Sequence, residues 1–139
     1  MTSFYLDTSA VIRWILQSPN HYTEFGKWDS AISSTLLKLE FTRAIDRLQK
    51  QNFLDDKQFD KCIRYFADFS EHINWVKIDE RILEKASQTF IYPLGTLDAI
   101  HLATAYLYQE EFEVGEYCIL THDLELAKVA TSIGIKVKG

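Results

Sequence analysis

The chain of 139 residues is 47% hydrophobic and 25% charged, with a formal net charge of −5 at pH 7, which is the profile of an ordinary soluble globular protein and the length of a single domain, residues 1–139. No apolar run approaches the roughly 18 residues of a membrane span, and the opening Met1 to Asp7 lacks the basic flank and apolar core of a secretory signal; a cytoplasmic protein with no membrane attachment is expected. The acidic balance argues against holding nucleic acid by bulk electrostatics, yet it leaves room for an acidic site that recruits cations and for a basic protein partner.

Strand-like and helical runs alternate from end to end. Ser3 to Leu6 is a short apolar run, and Val11, Ile12, Ile15 and Leu16 then repeat at helical spacing until Ser18-Pro19-Asn20 breaks the pattern. Ala31 to Ser33 is a second strand. From Thr35 to Lys50, apolar residues at Leu37, Phe41, Ala44, Ile45 and Leu48 mark one face of a long helix. Asn52 to Asp56 is a connector in which Asp55 or Asp56 can cap the next helix, marked by Phe59, Cys62, Ile63, Phe66 and Phe69. Trp75 to Ile78 predicts a third strand, and Asp79 caps a helix expected to carry Ile82, Leu83, Ala86 and Phe90. After the turn Tyr92 to Gly95, a helix begins at Thr96. Tyr117 to Leu120 is a fourth strand, Leu124 to Ser132 a helix ended by Gly134, and Ile135 to Val137 a fifth strand at a sheet edge. Such alternation with short connections implies a parallel sheet covered on both faces, an α/β fold whose ligands bind beyond the carboxyl ends of the strands. Cys62 and Cys118 lie inside apolar periodic segments without zinc-site spacing and are read as reduced, buried thiols.

Four carboxylates stand where that fold would gather them. Asp7 and Asp123 each follow an apolar strand run, while Glu40 and Asp98 sit early in helical stretches. Each has an ordinary alternative: Asp7 and Asp123 could cap helices, Glu40 could pair in solvent with Arg43, and Asp98 could favour a helix dipole. Together they need a reason to tolerate one another, since at an effective dielectric of about 20 two unit charges about 4 Å apart repel by roughly 4 kcal/mol. A divalent cation is the usual remedy, Mg²⁺ prefers hard carboxylate oxygens and water, and phosphodiester cleavage is the chemistry such a site most often runs.

Asp7-Thr8-Ser9 after the first strand resembles the opening motif of the PIN-domain nucleases. Ile32 to Glu40 resembles the second acidic motif of that family, Leu97 to Ala105 (LDAIHLATA) is very similar to the third, and Leu120 to Asp123 followed by an apolar helix and Gly134 to Val137 resembles the last. The likeness runs in order through nearly the whole chain and is most like the VapC toxins of type II toxin–antitoxin modules. It implies a three-layer α/β/α domain with a five-stranded parallel sheet and a Mg²⁺- or Mn²⁺-dependent endoribonuclease. Asp7 and Asp98 would be principal metal ligands, with Glu40 ligating directly or through water and Asp123 completing the cluster. Thr8, Ser9 and Thr121 would orient carboxylates or bind water and phosphate. The resemblance further implies an RNA substrate, a VapB-like antitoxin laid over an apolar groove along the helix at Thr35 to Lys50 and the Phe-rich helix after it, and a homodimer.

Other residues admit two readings. His101, three positions beyond Asp98, could bond that carboxylate or serve only as a buried structural histidine; His122 could face RNA or simply solvent. Arg13, Lys38, Arg43 and Arg47 could form a basic rim or ordinary solvated charge. Tyr5, Trp14, Trp28, Phe41, Phe66, Phe69 and Trp75 fall at core-like spacing and are read as packing residues or an oligomer face, not as base-stacking platforms. A phosphoacceptor receiver domain would want an acidic pair after the first strand, and a haloacid-dehalogenase phosphatase would want Asp-x-Asp where the chain has Asp7-Thr8-Ser9. A PIN fold that only binds protein is the remaining alternative.

Overall fold

A computed structural model describes residues 2–17, 23, 25–112 and 115–138. Five strands form one all-parallel sheet: β1 (Thr2–Leu6), β2 (Ser30–Ser34), β3 (Asn74–Val76), β4 (Glu116–Leu120) and β5 (Lys136–Lys138), in the spatial order β3-β2-β1-β4-β5. Helices α1 (Thr8–Ile15), α2 (Leu36–Lys50), α3 (Asp56–Ser70), α4 (Glu80–Ala86), α5 (Thr96–Glu111) and α6 (Leu124–Ser132) complete the chain. None of them is long and apolar enough to cross a membrane.

The pleat divides the core in two. Phe4, Leu6, Ala31, Cys118 and Leu120 turn to the side packed by α1, α2 and α3, where Val11, Leu37, Phe41, Ile45 and Phe69 meet them. Tyr5, Ile32, Tyr117 and Ile119 turn the other way, against Leu102 and Ala105 of α5 and Leu126, Val129 and Ala130 of α6. Because neighbouring side chains on a strand point to opposite faces, the central strands can be apolar throughout and still be fully used. The result is the three-layer α/β/α arrangement expected from the sequence. Cys62 and Cys118 are both buried and form no disulfide with each other.

Local chemistry sets the ends of the elements. Asp55 accepts from the Gln58 backbone N–H at 2.7 Å while the Gln58 side chain accepts from the Asp55 N–H at 2.8 Å, a reciprocal cap that starts α3. At the end of α6, Gly134 takes φ +88°, and the N–H groups of Gly134 and Ile135 close onto the carbonyls of Thr131 and Ala130. Asn52 does the same for α2 at φ +63°, with the Phe53 N–H reaching the Leu48 carbonyl.

Most strands and α2 start or end a residue away from the sequence reading, and three further differences have a local cause or limit. β3 starts one residue and ends two residues earlier than expected, because its partner β2 stops at Ser34, opposite Val76, and leaves Lys77 and Ile78 nothing to pair with. α4 ends at Ala86: the Ser87 hydroxyl donates to the Leu83 carbonyl at 2.8 Å, and Phe90 reaches the core from beyond the helix instead of from its last turn. α1 ends at Ile15, with Leu16 its cap; the break expected at Ser18-Pro19-Asn20 lies outside the described residues.

The sheet order places the reversal of winding at β1 and β4. Chain connections run outward from β1 to β2 and β3, then return to β4 on its other side. The crevice beyond the carboxyl ends of those two strands is the ligand site that this topology provides.

Candidate active site

Asp7 follows β1 directly, and its backbone N–H extends the sheet by one bond to the Leu120 carbonyl at 3.1 Å. It occupies the N-cap position of α1, yet its side chain makes no capping bond. Its Oδ2 instead accepts from the Ser9 hydroxyl at 2.8 Å and from the Thr121 hydroxyl at 2.7 Å, and the residue is only 4% exposed. A buried carboxylate is tolerated only when such donors replace water. Ser9 and Thr121 also receive the backbone N–H groups of His122 (3.0 Å) and Asp123 (2.9 Å), so the two hydroxyls tie the turn after β4 to the Asp7 carboxylate.

Asp123 does cap its helix. Its Oδ1 accepts from the Glu125 and Leu126 N–H groups at 2.9 and 3.1 Å. It also approaches Asp98, on the first turn of α5, closely enough for a side-chain hydrogen bond between the two carboxyls. Burial, the Asp123 charge and then the Asp7 charge push the Asp98 carboxyl up to about 7 from its ordinary 3.8. Asp98 thus feels the charges of two acids from two other segments, Asp123 and Asp7.

Glu40 reaches the cluster from α2. It forms no solvated pair with Arg43, which bonds Asp46 at 3.4 Å. Its Oε1 accepts from the Thr8 hydroxyl at 2.7 Å and from His101 Nε2 at 2.5 Å. Burial pushes the Glu40 carboxyl up, but the hydrogen bond and charge of His101 and the Thr8 hydroxyl outweigh it, and the net shift is downward. His101 is 1% exposed, with Nδ1 at 2.7 Å from the Tyr5 hydroxyl and Nε2 at 3.9 Å from Asp7 Oδ1. Burial favours its neutral form; the Glu40 bond and the charges of Asp7, Glu40 and Asp98 prevail and raise its pKa. Sequence reasoning left His101 between structural and functional roles. Its spacing from Asp98 put it on the right helix face, but its main partner, Glu40, lies 61 positions away.

The basic residues disperse. Arg13 bonds His122 Nδ1 at 2.8 Å, beside the site, whereas Lys38 lies over the Trp75 ring at 4.6 Å. Arg43 and Arg47 line a groove of about 430 Å³ that begins at Thr8 and Glu40 and is walled by Ile12, Leu36, Leu39, Ala44 and Leu97. α1, α2 and α5 form it, while Tyr65, Asp68 and Phe69 of α3 line a separate, more apolar cavity with Trp14, Ile15 and Trp28.

A hard divalent ion suits the donor chemistry, because two carboxyls in contact under the field of a third lose their mutual repulsion when a dication enters. The side chains are nonetheless not preset as a cage: among the described residues no three acid, histidine or cysteine side chains are disposed to hold a metal ion. Asp98 and Asp123 face each other, and Glu40 Oε1 is occupied by His101 and Thr8.

The family profile of the PIN domain matches residues 4–132. The chain belongs to the PIN domain family. Over 140 aligned positions this PIN domain is 28% identical to ribonuclease VapC46 of Mycobacterium tuberculosis (strain ATCC 25618 / H37Rv), covering 99% of this chain and 97% of that protein. Its fold is similar to a chain in the crystal structure of VapBC2 from Rickettsia felis bound to a promoter DNA fragment, with a TM-score of 0.68 at 9% identity over 99% of this chain and 98% of that one. It is equally close to a chain of the DNA-bound VapBC from Salmonella typhimurium, with a TM-score of 0.67 at 17% identity and the same coverage.

Proposed function

We propose that this PIN domain is a VapC-like toxin of a type II toxin–antitoxin pair, an endoribonuclease that depends on Mg²⁺ or Mn²⁺ and works in the cytoplasm. The observation that carries the reading is the meeting of Asp7, Asp98 and Asp123 in the crevice beyond β1 and β4, with Asp98 held up to about 7 by its neighbours. The named likeness to a ribonuclease and to VapBC assemblies points the same way.

Asp7, Asp98 and Asp123 would hold the ion, with Glu40 acting on it directly or through water. A divalent ion held there would supply charge neutralisation at the phosphate and acidify a water, the chemistry that in-line cleavage to 5′-phosphate and 3′-hydroxyl ends would need. The chain's own residues prepare this. Ser9 and Thr121 fix the Asp7 carboxylate, the α6 cap fixes Asp123, and Thr8 fixes Glu40. The groove with Arg43, Arg47 and exposed Leu39 and Leu97 offers charge and apolar surface beside the acids for RNA or for a VapB-like antitoxin. A homodimer completes the proposed assembly.

Cleavage of labelled RNA by the purified chain tests the reading. Activity should require Mg²⁺ or Mn²⁺ and vanish in Asp7→Asn and Asp98→Asn, both still folded; cleavage that persists in excess EDTA overturns it. The separation of the acids into bonded pairs favours a second reading, a PIN fold that binds protein without cleaving RNA. Calorimetry with Mn²⁺ separates the two, because only the nuclease binds the ion.

A further inference from the structure

We infer that His101 is the positioning residue for Glu40, holding Oε1 of that carboxylate so that Oε2 is the oxygen left to serve the attacking water or the ion. The inference rests on the ribonuclease reading and deepens it. Glu40 stands on the flank of α2 with a long side chain, whose rotamer freedom would have to be lost in each catalytic cycle. Two donors remove that freedom in advance. The Thr8 hydroxyl at 2.7 Å and His101 Nε2 at 2.5 Å converge on the same oxygen.

The imidazole is itself fixed from behind. Its Nδ1 meets the fully buried Tyr5 hydroxyl at 2.7 Å, the Tyr5 ring stands edge-on to it with centroids 5.8 Å apart, and the Ser34 backbone N–H donates to the same hydroxyl at 3.2 Å. In either charge state of the ring, Nε2 must be the donor toward the carboxylate, while Nδ1 either accepts the phenol proton or donates to the phenol oxygen. The network therefore does not depend on titration. It joins β1, the end of β2, α1, α2 and α5, and so carries the placement of Glu40 on one side of the sheet to α5 on the other. The ring Nε2 thus closes on a carboxylate 61 positions distant that the Thr8 hydroxyl already holds, with that hydroxyl 3.3 Å from Nε2 as well. Partners that orient a reactive carboxylate typically matter by about 10- to 100-fold when removed.

The test combines kinetics with a spectroscopic readout on the full chain. His101→Leu should lower kcat for RNA cleavage by about 10- to 100-fold with KM little changed. His101→Gln, which keeps an N–H near the Nε2 position, should recover much of that loss. Because His101 acts through Glu40, the double variant His101→Leu/Glu40→Gln should be no slower than Glu40→Gln alone. The downfield imidazole N–H proton resonance of His101 should be present in the wild type and shift or vanish in Glu40→Gln, whatever the activity. Independent, multiplying losses in the double variant overturn the inference, as does a His101 resonance indifferent to Glu40→Gln or a folded His101→Gln as slow as the Leu variant. A wild type that cleaves nothing with Mg²⁺ or Mn²⁺ defeats the ribonuclease reading instead, and the resonance then decides the positioning on its own.

Discussion

Asp98→Asn should make the metal-free chain more stable at neutral pH while destroying its activity. The native state holds the Asp98 carboxyl at about 7 against an ordinary 3.8, through burial and then the charges of Asp123 and Asp7. For an acid whose native pKa is raised, the folded state binds the proton more tightly than the unfolded one, so stability is lost as pH rises between the two values. At about 1.4 kcal/mol per pH unit the gap amounts to about 4 kcal/mol, and partial solvent exposure of Asp98 reduces this to about 2 kcal/mol. Asparagine carries no charge and mimics the protonated acid. In EDTA, urea unfolding followed by tryptophan fluorescence should show the variant more stable than wild type by about 2 kcal/mol above pH 7. The advantage should shrink as pH falls through the window from about 7 to 3.8, and disappear below it. Added Mg²⁺ should reverse the order, since only the wild type gains a ligand. A variant equal to or weaker than wild type in EDTA above pH 7 would refute the claim that Asp98 is held under electrostatic repulsion.

Saturating divalent ion should raise the thermal midpoint of the wild type, by the equivalent of about 2.7 kcal/mol at a hundredfold excess over Kd, and leave Asp7→Asn unmoved; differential scanning fluorimetry reads both. Asp123→Asn keeps an oxygen for the Glu125 and Leu126 N–H groups and removes a charge that acts on Asp98, so in EDTA above pH 7 it should be at least as stable as wild type yet fail to cleave RNA, whereas Asp123→Ala should be about 1 kcal/mol less stable than Asp123→Asn because it loses the cap. Asp55→Ala, remote from the acids, should cost about 1 kcal/mol in denaturant unfolding with RNA cleavage unchanged. Phe41→Ala removes a fully buried ring stacked on Phe66 at 4.1 Å between centroids, and should cost about 3–5 kcal/mol by the same measurement.

Alternating apolar runs and helix caps were legible in the chain because they depend on periodicity and on neighbours a few positions apart. Asp55, Asp79 and Gly134 do at their element ends what their residue types predispose them to do. The end of β3 was not legible, because it depends on where β2 stops, and Phe90 was assigned to a helix on spacing that Ser87 interrupts.

For the acids, the order of strands and helices in the sequence already determined that Asp7 and Asp123 would lie at one edge of a parallel sheet. Which oxygen faces which donor was decided only by the tertiary structure. Asp7 gives up its cap to accept from Ser9 and Thr121, Asp98 turns to Asp123, and Glu40 turns to His101, through contacts set by helix packing across both faces of the sheet. Local sequence records the period of an element and the chemistry of its ends; the angle at which two distant helices meet, and hence the partner of a carboxylate on each, depends on the whole packed core between them.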